Sequence, residues 1–104
     1  MDPEFDELKR DFLEEASAKV KEIAALLERD GIGDLAARER ALYLAHQLKG
    51  AGGSYGFSSI STEAAGLETD LERGEGRFDA AAVRTRLGRL VAVIRERIEE
   101  LETA

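Results

Sequence analysis

The chain has 104 residues, 22 acidic and 15 basic, for a formal charge of −7. That length is one domain's worth, able to bury roughly 60–70% of its unfolded surface. The charge opposes nucleic acid or an anionic membrane as partner, favours proteins, and leaves room for a local basic spot that meets a single phosphate.

Cysteine is absent, so neither disulfides nor cysteine metal sites are available, and the longest apolar runs are a handful of residues against the ~20 of a membrane span. The default compartment is the cytoplasm. Residues 1–5, Met-Asp-Pro-Glu-Phe, look like translated cloning sites of an expression vector and are set aside, leaving 6–104 as the domain. Pro3 is the only proline, so nothing after it forbids long helices.

Four segments show helical periodicity, and none alternates apolar and polar residues long enough to argue for a strand. The first runs from about Asp6 to Arg29, with Leu8, Phe12, Ala16, Val20, Ile23 and Leu27 on one stripe and Asp30-Gly31 as its stop. A break near Asp11 would set off a short extra N-terminal helix. The second opens at Asp34, a good N-cap, and continues to Tyr55 before Gly56, with Ala37, Ala41, Leu44, Leu48, Ala51 and Tyr55 in one row. The third starts near Ser58, buries Ile60, Ala64, Leu67 and Leu71, and stops in Arg73-Gly74-Glu75-Gly76. The fourth opens at Asp79 and keeps Val83, Leu87, Leu90, Ile94, Ile98 and Leu101 in step. Four such stripes on short connections predict an all-α, up-and-down antiparallel four-helix bundle, since each helix can bury its apolar face only against the others.

At ~100° per residue His46 lies opposite the apolar row of the second helix, facing outward or toward a groove. Lys49 and Gly50 follow it at three and four residues, so an ammonium stands beside the imidazole and the next position has no side chain. A phosphoryl group on a ring nitrogen would bring roughly two negative charges, which a neighbouring lysine can stabilise. Glycine inside a helix costs ~1 kcal/mol relative to alanine, so Gly50, Gly52 and Gly53 in one stretch call for close approach of another surface or of a neighbouring helix. A histidine on a solvated helix face is ordinarily just a surface residue, and a lone lysine a solvated charge. It is their ordered combination that points to chemistry.

The run Ala45-His46-Gln47-Leu48-Lys49-Gly50-Ala51-Gly52-Gly53-Ser54-Tyr55-Gly56-Phe57 resembles the signature of histidine phosphotransfer domains, including the phosphorylated domain of chemotaxis kinases. The resemblance continues without a gap through Ile60, Ala64, Leu67-Glu68 and Leu71, about thirty residues in all; the flanking helices agree in length and amphipathic pattern. It implies a phosphocarrier of a two-component phosphorelay without kinase or ATP-binding machinery. In such a domain His46 would be the phosphoacceptor, Lys49 the phosphate-side cation and Gly50 the gap that admits a receiver domain. The partners would be a response-regulator receiver, a hybrid histidine kinase or both. This domain would act as a monomer and bind no cofactor, the Mg²⁺ belonging to the receiver.

The resemblance also points to Glu68 as the residue that bonds the imidazole from the neighbouring helix. Glu68 falls one turn after Ala64 at the edge of its stripe, where a carboxylate accepting the Nδ1 hydrogen would leave Nε2 as nucleophile. An ordinary exposed glutamate is the alternative. Some relatives carry a further basic or histidine residue on that helix; here Ala65 and Glu72 stand at the plausible positions, so Lys49 would be the close cation. Leu42 and Tyr43 share the His46 face with Gly50 and Gly53 and would dock the receiver, unless they pack on a neighbouring helix.

Other classes fit less well. A bundle used only for interaction or dimerisation, with His46 incidental, is the rival. Carboxylate-bridged metal bundles need Glu-x-x-His pairs, and the residue three before the only histidine is Tyr43. The glycines from 50 to 56 match neither Gly-x-x-x-x-Gly-Lys-Ser/Thr nor Gly-x-Gly-x-x-Gly and follow no strand.

Overall fold

A computed structural model of the chain describes residues 3–30, 34–72 and 80–103. Four helices account for nearly all of them: α1 (Pro3–Asp30), α2 (Leu35–Ser54), α3 (Ser58–Glu72) and α4 (Ala80–Thr103). The fold is the predicted all-α bundle. Each helix packs on its sequence neighbour and α4 returns to α1, which places α2 and α4 diagonally opposite. The expected stops at Gly31 and in residues 73–76, and the start at Asp79, lie outside the described residues.

The start of α2 follows its sequence signal. Asp34 has extended backbone, φ −73° and ψ 120°, and its Oδ1 accepts the Ala37 N–H at 2.8 Å, satisfying one of the helix's orphan donors. The end of α2 is equally well specified. Gly56 N–H donates to Gly53 O at 3.1 Å and Phe57 N–H to Gly52 O at 2.8 Å. Gly56 itself takes φ +81°, the left-handed conformation that glycine adopts at no steric cost. Phe57 O then accepts Ser61 N–H at 3.1 Å and starts α3, so only three residues separate the two helices.

The core is one cluster fed by all four helices. Ile60, Ala64, Leu67 and Leu71 of α3 are buried, as are Val83, Leu87, Leu90 and Ile94 of α4, while Ile98 and Leu101 are only partly covered. Two details of the expected stripes change. Along α1 there is no break at Asp11, hence no separate N-terminal helix, and Leu8 is 50% exposed where the stripe would bury it. Phe12 stacks on Tyr55 and Phe57 at ring-centroid distances of 5.0 and 5.8 Å, closing the end of the bundle at the α2–α3 turn. Ahead of Phe12 on α1, Arg10 Nη2 donates to Leu101 O near the end of α4 at 3.5 Å. Leu13 and Ala45, next to stripe residues, are fully buried because each of these helices touches two neighbours and so hides a wider arc.

The α2–α3 seam is tight at one glycine. A Cβ on Gly52 would lie 3.1 Å from Ser61 N and 3.4 Å from Phe57 O, both backbone atoms that cannot step aside cheaply. Just above, Ser61 Oγ donates to Lys49 O at 2.8 Å. A Cβ on Gly50 would meet nothing within 4 Å. Two neighbouring glycines therefore have opposite expected effects. Gly52→Ala should destabilise by about 1–3 kcal/mol through overpacking, and Gly50→Ala should be neutral or stabilise by up to about 1 kcal/mol through helix propensity. Thermal or urea unfolding of the two variants checks this, and equal changes would contradict the seam geometry.

Candidate functional site

The site is assembled by two helices whose register the Gly52 crossing fixes. His46 projects from the middle of α2, with 69% of its side chain exposed. Its Nδ1 lies 2.8 Å from Glu68 Oε2 on α3. The other oxygen of the same carboxylate, Oε1, accepts a hydrogen bond from Lys49 Nζ at 2.9 Å. Glu68 thus touches both α2 residues singled out by the sequence, and with 16% of its side chain exposed it is the most covered member of the trio.

The protonation of this trio follows from the donor and acceptor inventory. The Lys49 hydrogen bond draws the Glu68 carboxyl below its usual value; partial burial opposes this, and the His46 bond adds to the lowering. An ionised carboxylate can only accept, so His46 Nδ1 must carry the hydrogen and the neutral ring keeps its lone pair on Nε2. That nitrogen faces solvent on the exposed side of the ring. A weakly hindered nucleophilic nitrogen, a carboxylate opposite it and an ammonium one turn away can accept a group that arrives as a cation-seeking anion.

The remaining candidates divide by side. Measured around α2 from His46, at ~100° per residue, Leu42 and Lys49 fall toward α3, Tyr43 and Gly50 fall toward α1, and Gly53 lies close to the same line. Leu42 is half-buried and packs against the core. Tyr43 is 52% exposed, and Gly50 and Gly53 are exposed. The pair expected to share one face is therefore split, Leu42 serving mainly the interior. Ala65 is half-buried and Glu72 exposed on α3, and among the described residues no further lysine or arginine joins Lys49 in contact with Glu68.

Sequence reasoning missed three contributors. Ser61 anchors the Lys49 carbonyl, and Arg40 and Gln47 both address Tyr43: the guanidinium lies over the ring at 5.4 Å and the amide donates to the phenol oxygen at 2.8 Å. The i,i+3 and i,i+4 spacings of 40, 43 and 47 were the available signal.

A bundle whose neighbouring helices share an exposed, carboxylate-held histidine has the architecture of a phosphocarrier. The model of the Hpt domain family matches residues 7–104, and the chain belongs to that family. Hpt domains are the histidine-containing phosphotransfer modules of two-component systems, phosphocarriers rather than kinases, and their partners are the response regulators and kinases of phosphorelays. No curated protein and no solved structure matches the chain. None of the described helices is long and apolar enough to cross a membrane.

Proposed function

We propose that His46 is the phosphoacceptor and that this domain exchanges a phosphoryl group with the aspartate of a response-regulator receiver. The observation that carries the reading is the commitment of Nδ1 to Glu68 while the ring stays 69% exposed, which presents Nε2 to a partner with its lone pair free. As Nε2 attacks a receiver phospho-aspartate, the N–P bond forms and the acyl O–P bond breaks, its electron pair leaving with the aspartate carboxylate. No proton has to depart from the attacking nitrogen. The positive charge that develops on the ring lies against the Glu68 carboxylate, and the reverse transfer retraces these steps. The receiver supplies Mg²⁺ and most of the electrostatic stabilisation of the transferring group. In this reading Lys49, bonded to Glu68 in the unphosphorylated protein, meets the phosphoryl oxygens, and Gly50 and Gly53 leave room for the receiver beside it.

The test is to incubate the wild-type protein with a receiver charged with radiolabelled phosphate. Acid-labile, alkali-stable label on this chain is the expected result. Failure to acquire label from any receiver tried, with the bundle folded, would favour an interaction module in which His46 is incidental.

A further inference from the structure

An exposed aromatic side chain normally samples several rotamers, and Tyr43 is exposed by half. Yet both of its parts are held. Gln47 Nε2 donates to the phenol oxygen at 2.8 Å, and the Arg40 guanidinium lies over the ring at 5.4 Å. Arg40 is itself tethered across the α1–α2 seam, its Nε donating to Glu22 Oε2 at 2.7 Å and its Nη2 to Glu22 Oε1 at 3.4 Å. A two-pronged contact of this kind fixes the plane of the guanidinium. The result is a chain of four side chains, Glu22, Arg40, Tyr43 and Gln47, that holds Tyr43 one turn before His46. None of them is needed for the core.

The surface beside the phosphoacceptor consequently has relief. Seven residues apart on the α1 side of His46, Tyr43 makes a knob and Gly50 an open gap. The chemistry of the knob is also defined. Its oxygen already accepts from Gln47, so its own O–H is left to donate, and no acceptor for it occurs among the described residues.

Resting on the phosphotransfer reading above, we infer that Tyr43 is a preorganised anchor that selects the receiver partner, taking an apolar recess with a hydrogen-bond acceptor, a backbone carbonyl or side-chain oxygen, at its floor. Arg40 and Gln47 are positioning residues that act through it. Holding the ring in place before binding removes part of the ordering cost that a loose aromatic would incur at the interface, which is how tyrosine becomes a dominant contact. The contacts of Tyr43 are to Gln47 and Arg40 and those of His46 to Glu68, so Tyr43 governs how tightly the receiver docks rather than how fast phosphate moves once docked.

The experiment uses a receiver domain charged with radiolabelled acetyl phosphate and follows single-turnover transfer to this protein at increasing receiver concentration. Tyr43→Ala should raise the half-saturating concentration about tenfold or more with the plateau rate unchanged. Tyr43→Phe should raise it a few-fold, the value of one hydrogen bond. Gln47→Glu should match Tyr43→Phe, because a carboxylate takes the phenolic hydrogen for itself, and the double variant should be no worse than either. Arg40→Ala should fall between wild type and Tyr43→Ala, with Arg40→Lys recovering part of the loss. An unchanged half-saturating concentration in Tyr43→Ala, or a loss confined to the plateau rate, overturns the anchor while leaving the phosphotransfer reading intact. Wild-type protein that takes no label from any receiver defeats that reading and the anchor together.

Discussion

His46→Gln is expected to fold as the wild type does and to accept no phosphoryl group from any donor. The ring is 69% exposed and contributes nothing to the buried cluster, so its removal opens no cavity. Glutamine is a good helix former, and its amide N–H can still donate toward Glu68. Stability should therefore change by no more than about 1 kcal/mol. Phosphorylation should vanish altogether, because His46 is the only histidine in 104 residues. Circular dichroism and unfolding curves read the first half of the result, radiolabel transfer the second. Label retained by the folded variant would remove His46 from the site.

Glu68→Ala should have the next largest effect, and its two consequences have opposite sign. Losing the acceptor at 2.8 Å frees the ring to change tautomer and to turn, so attack on phospho-aspartate should slow by about tenfold, the value of one charge-assisted bond at a partly open site. The same substitution releases Lys49 from its 2.9 Å contact, so the phosphorylated form should be no shorter-lived than in the wild type. Glu68→Gln separates the two effects. Its amide oxygen can still accept from Nδ1, but an uncharged side chain holds Lys49 only weakly, and attack should stay near the wild-type rate.

Imidazole nitrogen NMR reports the tautomer, and transfer measured in both directions reports the rates. If Glu68→Ala changes neither, the glutamate is a surface residue. The pH dependence follows from the lowered Glu68 carboxyl. Its stabilising contribution is complete above the unfolded glutamate value of about 4.3 and is lost as pH falls through the lower folded value. Unfolding of Glu68→Gln should lack that acid-side loss.

Much of this was legible in the chain because the signals were local. Asp34 announced its helix through capping chemistry, Gly56 ended it through the left-handed conformation that glycine alone adopts without steric cost, and His46, Lys49 and Gly50 shared a face by spacing alone. Glu68 was legible only as an edge residue of its stripe. That it grips Lys49 as well as His46 depends on where α3 crosses α2, which is set by the Gly52 contact and not by any periodicity. Leu42 went the other way. Its place on the His46 side of the helix left open whether it meets a partner or the interior, and the structure has it partly buried against the core. The exposed Leu8 illustrates a third limit, since a stripe shows which face is apolar but not how far a neighbouring helix extends to cover it.

The hydrogen bond between His46 and Glu68 joins two helices, so it is also a sensor of whether those helices stay together. Any opening of the α2–α3 seam, even a transient one far smaller than global unfolding, breaks it before the core is exposed. Side-chain rotation alone also releases the ring, which is 69% exposed, so the tautomer of His46 responds to both rotation and seam opening. Substitutions at Gly52, six residues from the histidine, should register there as altered nitrogen shifts at temperatures well below the melting transition that they also lower. On the phosphotransfer reading proposed above, the competence of His46 would depend in part on the seam's equilibrium, and so on how closely two backbones approach at Gly52.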